Sequence, residues 1–221
     1  MSRLIVEYLL ISAPFFALLL GGVRLLGSLR HKLALQDEKL NRLKADQQHT
    51  ADALERNACL DHLTGCLNRV LFMERLAQAL TCAQNATQEE APPFAVLMLD
   101  MDHFKLINDS LGHRFGDEFL AHIGTRIKGS LEGDEILARL GGDEFAILVE
   151  GEDAHERIFL RTEQVQEIIR APLTLEGRTI HPTASIGVVL SDGTYTDPEQ
   201  IVRDADTAMY RAKEAGRGHY Q

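Results

Sequence analysis

Six apolar residues in a row, Phe94-Ala95-Val96-Leu97-Met98-Leu99, run without interruption into Asp100-Met101-Asp102. A strand this uniformly apolar has no face to offer water, so it belongs at the centre of a sheet covered on both sides. The surrounding pattern supplies the cover. Helical periodicity is read over about 69–84 and 153–170, in short stretches at 103–111 and 117–131, and over 197–215. Strand patterns fall in "EILARLGG", "DEFAILVE", "PLTLEG" and "RTIHPTASIGVVL". The first two meet at glycines and read as a β-hairpin. The order predicts an α/β (α+β) domain with a sheet of about five strands and helices on its faces.

Where the buried strand ends, ionised carboxylates become costly unless something cationic meets them. If the hairpin lies beside that strand, Asp143 and Glu144 at its turn approach Asp100. Three carboxylates converging on one point call for a hard divalent cation held through oxygen, with Mg²⁺ the common choice where phosphates complete the shell. Alone, a Gly-Gly-Asp-Glu stretch is more simply a solvated turn. The strand-end aspartate beside it shifts the balance, and glycines 141 and 142 allow close approach to the turn backbone. Phe104 and Lys105 open a helix just after the Asp pair, putting free N–H groups and an ammonium where a phosphate would sit. Asn108 and Asp117 are individually ordinary helix-surface and N-cap residues. Together they offer the donor and acceptor that a guanine edge requires.

The chain carries a net charge of −10, and from Asp61 onward 27 Asp and Glu face 15 Lys and Arg. That excludes a nucleic-acid polymer as partner, since phosphate backbones are bound by clustered cations. A small anionic substrate would need divalent metal and a few placed cations. Three cysteines, Cys59, Cys66 and Cys82, make neither a disulfide framework nor a zinc spacing.

The first 29 residues are of another kind. An uncharged run from Tyr8 to Val23 extends to Leu4 if Glu7 is admitted, and as a helix such a stretch is about 30 Å long, the hydrocarbon thickness of a bilayer. A single-pass membrane anchor is expected over 1–29, in preference to a buried core helix or a cleaved signal peptide. Arg24, Arg30 and Lys32 outnumber Arg3, placing the C-terminal bulk in the cytoplasm, at the inner membrane. A heptad seam that starts at the end of this segment runs through residues 30–60: Leu26, Leu29, Leu33, Gln36, Leu40, Leu43, Gln47, Thr50, Leu54 and Asn57. A parallel coiled-coil dimer is the expectation. A solitary solvated helix is the alternative, kept open by the polar seam positions.

From Asp61 to about Gly218 the sequence closely resembles the GGDEF family of diguanylate cyclases. "DHLTGCLNR", "LDMDHFKLINDSLGHRFGDEFL", "RLGGDEF" and "AMYRAKEAGRG" occur in the family's order, with Cys66 where leucine is usual and Gly218 where asparagine is frequent. Four ordered matches are far more specific than any one. The resemblance implies a domain over 61–221 with a five-stranded sheet like those of nucleotidyl cyclases and polymerase palms. It implies two such domains facing each other, each holding one GTP, and condensation to cyclic di-GMP with release of two pyrophosphates. Carried over, Asp100, the Met101 carbonyl, Asp143 and Glu144 would hold two Mg²⁺ ions, for which Mn²⁺ can substitute. Glu144 would act on the 3′-hydroxyl as base, as metal ligand, or both. Asn108 and Asp117 would read guanine. Phe104, Lys105, Lys213 and Arg217 would hold phosphates, and Gly141 and Gly142 would shape the turn over the ribose.

One departure stands out. Many members of the family carry an inhibitory product site, Arg-x-x-Asp, ending five residues before the first glycine of the name motif; here Glu132, Gly133, Asp134 and Glu135 occupy those positions. Two carboxylates in place of Arg and Asp are expected to repel product, leaving no inhibitory site there. The competing functional reading is a catalytically silent, GTP-binding regulatory module, or one that engages a regulatory protein partner. The intact set of Asp100, Gly141, Gly142, Asp143 and Glu144 favours the enzyme.

Overall fold

The computed structural model describes residues 59–85, 93–191 and 193–221. The expected membrane anchor and nearly all of the expected coiled coil lie outside the described residues. Among those described, no helix is long and apolar enough to cross a membrane.

The elements in chain order are β1 (Leu67–Asn68), α1 (Arg69–Asn85), β2 (Phe94–Met101), α2 (Phe104–Leu111), α3 (His113–Lys128), β3 (Ile136–Gly141), β4 (Glu144–Glu150), α4 (Ala154–Arg170), β5 (Leu173–Leu175), β6 (Arg178–Ile180), β7 (Ala184–Leu190) and α5 (Pro198–Glu214). Five strands form one sheet in the order β1-β3-β4-β2-β7, and β5 with β6 forms a separate two-stranded ribbon. The all-apolar β2 is internal, antiparallel to β4 on one side and β7 on the other. Its side chains alternate between two cores, as the period of two requires. Ala95, Leu97, Leu99 and Met101 pack with Phe115, Phe119 and Ile123 of α3 and Ile158 and Val165 of α4. Phe94, Val96 and Met98 pack with Phe72 and Leu76 of α1 and Ile201, Val202 and Met209 of α5. At about 1.5–3 kcal/mol for each large side chain buried, these two layers supply the main driving force and fix β2 in register.

Three boundaries differ from the sequence expectation. The strand pattern over 178–190 splits into β6 and β7 around His181-Pro182-Thr183, where Pro182 has no N–H to give a ladder. Helix α3 starts at His113, four residues earlier than the periodicity suggests, because Gly116 sits inside it for packing. The two-residue β1, parallel to β3, carries no strand signature of its own and forms because the chain turns beside an available edge.

Glycine 187 sets the distance between β7 and α5. A Cβ there would fall 2.1 Å from the Ala205 carbonyl oxygen and 2.4 Å from the Met209 nitrogen, so only glycine lets the helix backbone lie on the strand. Helix α5 begins at Pro198 with Asp197 as N-cap, its carboxylate accepting from the Glu199 N–H at 3.0 Å. Its other end carries Lys213 over the end of β2.

Candidate active site

The site is built where β2 ends and the β3–β4 hairpin turns. Pairing of β2 with β4 puts Asp100 directly opposite Glu144, and the Met101 N–H donates to the Asp143 carbonyl at 3.3 Å. Like charges opposed on neighbouring strands destabilise a sheet. The turn itself needs glycine at Gly142, with φ of 51°, and a register shift between Arg139 and Gly141 re-aims the strand end. Lys213 reaches Asp100, Nζ to Oδ2 at 2.7 Å.

Burial pushes the Asp100 carboxyl up, and neighbouring Asp143 and Asp102 add to this; the hydrogen bond and charge of Lys213 work against it without cancelling it. Burial likewise raises Glu144, reinforced by Asp100, Asp206 and Asp143. Both groups would therefore gain from a cation. A cleft of about 260 Å³ opens beside them, lined by Asp100, Met101, Asp102, His103, Phe104, Lys105, Asp143, Lys213 and Arg217. His103, in the left-handed region at φ 61°, turns the chain from β2 into α2.

Of the residues expected to act together, Asp100, Met101, Phe104, Lys105, Asp143, Lys213 and Arg217 line this one cleft, with Glu144 across the strand pair. Gly141 and Gly142 form the adjoining turn. Asn108 and Asp117 do not line it; they lie farther along α2 and in the first turns of α3, two helices joined by the Phe104–Phe119 ring stack with centroids 6.0 Å apart.

Among the described residues no group of three or more His, Cys, Asp or Glu is gathered as a metal cluster, and Asp100 is held by Lys213. The donors present are still all hard oxygens, carboxylates and the Met101 carbonyl, which suit Mg²⁺ rather than a softer metal. One expectation is corrected, and it concerns Glu135. It does not face solvent to repel an anion but is buried, held by Arg161 (Nε–Oε1 and Nη2–Oε2 both 2.9 Å), Arg157 (3.1 Å) and the Glu132 N–H (2.9 Å). The exposed carboxylates of this segment are Glu132 and Asp134.

Two supports of the site were not foreseen. Asp102 is buried and accepts from the Thr183 hydroxyl at 2.7 Å, the Ser185 hydroxyl at 2.8 Å and the Gly218 N–H at 3.0 Å, which ties the end of β2 to the turn carrying Arg217. Arg139 bridges Asp61, at 3.1 Å to each carboxylate oxygen, and the Gly142 carbonyl, at 2.7 and 3.0 Å. Both belong to recognised motifs, but apart from the Gly142 carbonyl their side-chain partners are distant in sequence.

The family model described as "Diguanylate cyclase, GGDEF domain" matches residues 58–219. Diguanylate cyclase TpbB of Pseudomonas aeruginosa is 38% identical over 186 residues, 84% of this chain and 42% of that protein. Cyclic di-GMP phosphodiesterase NbdA of the same organism is 34% identical over 192 residues, 87% of this chain and 24% of that protein. The chain thus spans less than half the length of these curated relatives. Among solved structures, the coiled coil and GGDEF domain of DgcB from Caulobacter crescentus, in complex with c-di-GMP, matches with a TM-score of 0.73 at 26% identity. That match covers 87% of this chain and 97% of that one. A strand-end aspartate facing a Gly-Gly-Asp-Glu hairpin over a cation-lined cleft, together with this likeness in sequence and fold, makes the chain a member of the GGDEF-domain family.

Proposed function

We propose that the protein is a diguanylate cyclase, condensing two GTP into cyclic di-GMP with release of two pyrophosphates. The observation that carries this reading is the Asp100–Glu144 pair on β2 and β4, with Asp143 beside it, of which Asp100 alone is ion-paired, to Lys213, at the rim of a phosphate-sized cleft that also presents Lys105 and Arg217. A structural ion cluster would be neutralised internally; this one is left unbalanced, as a functional site is. Asp100, the Met101 carbonyl, Asp143 and Glu144 would hold two Mg²⁺ ions, with Mn²⁺ as substitute, which supply charge neutralisation at the phosphates and acidity at the attacking hydroxyl. Glu144, its pKa raised by burial, is suited to take the proton of the 3′-hydroxyl. Lys105, Lys213 and Arg217, with the N–H groups opening α2 at Phe104, receive the phosphates. Asn108 and Asp117 read guanine on the α2–α3 pair.

Each domain presents one nucleotide, so the reaction needs a homodimer of facing domains. A coiled coil over 30–60 raises their effective concentration. The same reading anchors the chain in the inner membrane through residues 1–29 with the catalytic domain in the cytoplasm, and leaves its input to the membrane, the coiled coil or a regulatory protein partner. With Glu132 outward and Glu135 committed to Arg161, cyclic di-GMP finds no inhibitory grip in this segment.

The full 221-residue chain incubated with GTP and Mg²⁺ is expected to yield cyclic di-GMP and pyrophosphate, identified by mass spectrometry, while Glu144→Ala yields neither. A wild-type protein that binds GTP as a dimer without forming product would instead establish the silent regulatory module.

A further inference from the structure

Helix α3 contains two internal glycines, although glycine is disfavoured there relative to alanine. Gly124 has an ordinary packing reason: a Cβ would come to 3.2 Å from Thr64 and 3.3 Å from the Cys66 sulfur, an overlap that a small shift relieves. Gly116 is different. A Cβ there would lie 1.9 Å from Asn108 Oδ1, 3.0 Å from Asn108 Cγ and 3.2 Å from Phe104 Cζ. The carboxamide of Asn108 therefore occupies the space that any other residue at 116 would fill.

That carboxamide also has unmet bonding capacity. Among the described residues, Asn108 Oδ1 stands out as a buried side-chain oxygen with no hydrogen-bond partner. Native structures leave few such atoms, and each asks for an explanation. The backbone around it is fixed: the Gly112 N–H donates to the Asn108 carbonyl at 2.9 Å and the Gly116 N–H to the Gly112 carbonyl at 3.2 Å. Stacking of Phe104 on Phe119 joins the two helices beside this contact. The Asn108 carboxamide is thus set against the Gly116 backbone, with its buried oxygen left without a partner.

We infer that Gly116 is a specificity-determining position, whose missing side chain seats the Asn108 carboxamide where it reads the nucleotide base. This rests on the guanine-nucleotide reading above and extends it to a residue that contacts no substrate. Because the atom in the way is the end of a side chain, Gly116→Ala does not break the helix; it turns Asn108 out of its seat. The consequence falls on base recognition, since a site whose polar reader is displaced loses discrimination more than it loses phosphate contacts.

The test is binding of a GTP analogue with a non-cleavable α,β linkage, and of the corresponding ATP analogue, to the full chain with Mg²⁺. Gly116→Ala is expected to weaken the GTP analogue by about tenfold or more while the ATP analogue changes little, so the guanine preference collapses. In an Asn108→Ala background the same substitution is expected to change affinity less than about twofold, because the displaced group is already gone. Should Gly116→Ala fail to fold while Asn108→Ala/Gly116→Ala folds, the overlap with Asn108 is still the cause. An unchanged guanine preference in Gly116→Ala, an equal loss in the Asn108→Ala background, or failure of the double variant to fold would each overturn the inference. A wild-type chain with no preference for the GTP analogue would overturn the guanine reading first, and this with it.

Discussion

Asp100 and Asp102 are two residues apart on one motif, yet the fold treats them in opposite ways. Asp102 is buried and receives three hydrogen bonds, none from a cation, and Glu135 is buried between two arginines. Asp100 faces Glu144 across a strand pair, has Asp143 nearby, and meets one lysine. The satisfied carboxylates join elements: β2 to the C-terminal turn, and the loop before β3 to α4. Of the others, Asp100 meets the single Lys213, and burial with neighbouring carboxylates raises the pKa of Asp100 and Glu144 at the cleft. The difference teaches that burial of a carboxylate marks structure when its lone pairs are all used, and function when charge is left over.

The largest effect that could break this contrast lies in the cleft. Glu144→Gln and Asp143→Asn are expected to lower cyclic di-GMP formation by about 1,000-fold or more, in line with the loss of groups that hold charge in nucleotidyl transfer. Neither is expected to lower the melting temperature. For Glu144 the sign is opposite to that of most acids: its folded pKa lies above the unfolded one, so stability falls as pH rises between the two, and at neutral pH the ionised group opposes folding. Glu144→Gln should therefore melt higher than wild type at pH 7, and lose that advantage below the ordinary carboxylate range. A variant that melts lower at neutral pH would show Glu144 to be a structural group.

The satisfied set should respond in the other currency, stability. Glu135→Ala leaves Arg161, nearly fully buried and also bound to the Ser130 carbonyl, without its bidentate partner. A loss of about 3–5 kcal/mol in denaturant unfolding is expected, with turnover per folded molecule unchanged. Asp102→Ala strands two hydroxyls and the Gly218 N–H and should cost about 1–3 kcal/mol. It should also weaken substrate binding by loosening the turn that carries Arg217. Activity loss without any stability loss in either variant would erase the distinction between the two sets.

What could be read in advance follows the same line. β2 was legible because an all-apolar strand has only one kind of home, and the hairpin because glycines meet two apolar runs. The cleft residues were legible as members of ordered motifs. The long-range partners of Asp102, Glu135 and Arg139 were not, because those bonds span 22 to 116 residues of sequence, and nothing local distinguishes a carboxylate that finds a hydroxyl from one that faces water. The inward turn of Glu135 depends on arginines one helix away. For the same reason β1 was invisible: two residues carry no period, and the edge they join exists only once the sheet has formed.

The smallest effect lies between the two sets, at Asp61 and Arg139, where a satisfied pair supports the catalytic turn. Burial pushes the Asp61 carboxyl up, but the Thr64 hydroxyl and N–H and the Arg139 guanidinium together outweigh it and hold the group below its ordinary value. Its contribution is therefore present above the unfolded pKa and lost as pH falls through the folded one, the reverse of Glu144. Arg139 also donates twice to the Gly142 carbonyl, so it carries the position of Asp61, just ahead of β1, to the turn bearing Asp143. A double-mutant cycle of Asp61→Asn and Arg139→Gln is expected to give a coupling of about 1 kcal/mol at pH 7 that vanishes in acid. Arg139→Gln alone should lower turnover severalfold while leaving GTP affinity nearly intact, since it shifts the turn and touches no phosphate-binding group. A coupling that persists when Asp61 is protonated, or an affinity that falls as far as turnover, would mean that Arg139 acts on the fold as a whole and not through the Gly142 carbonyl.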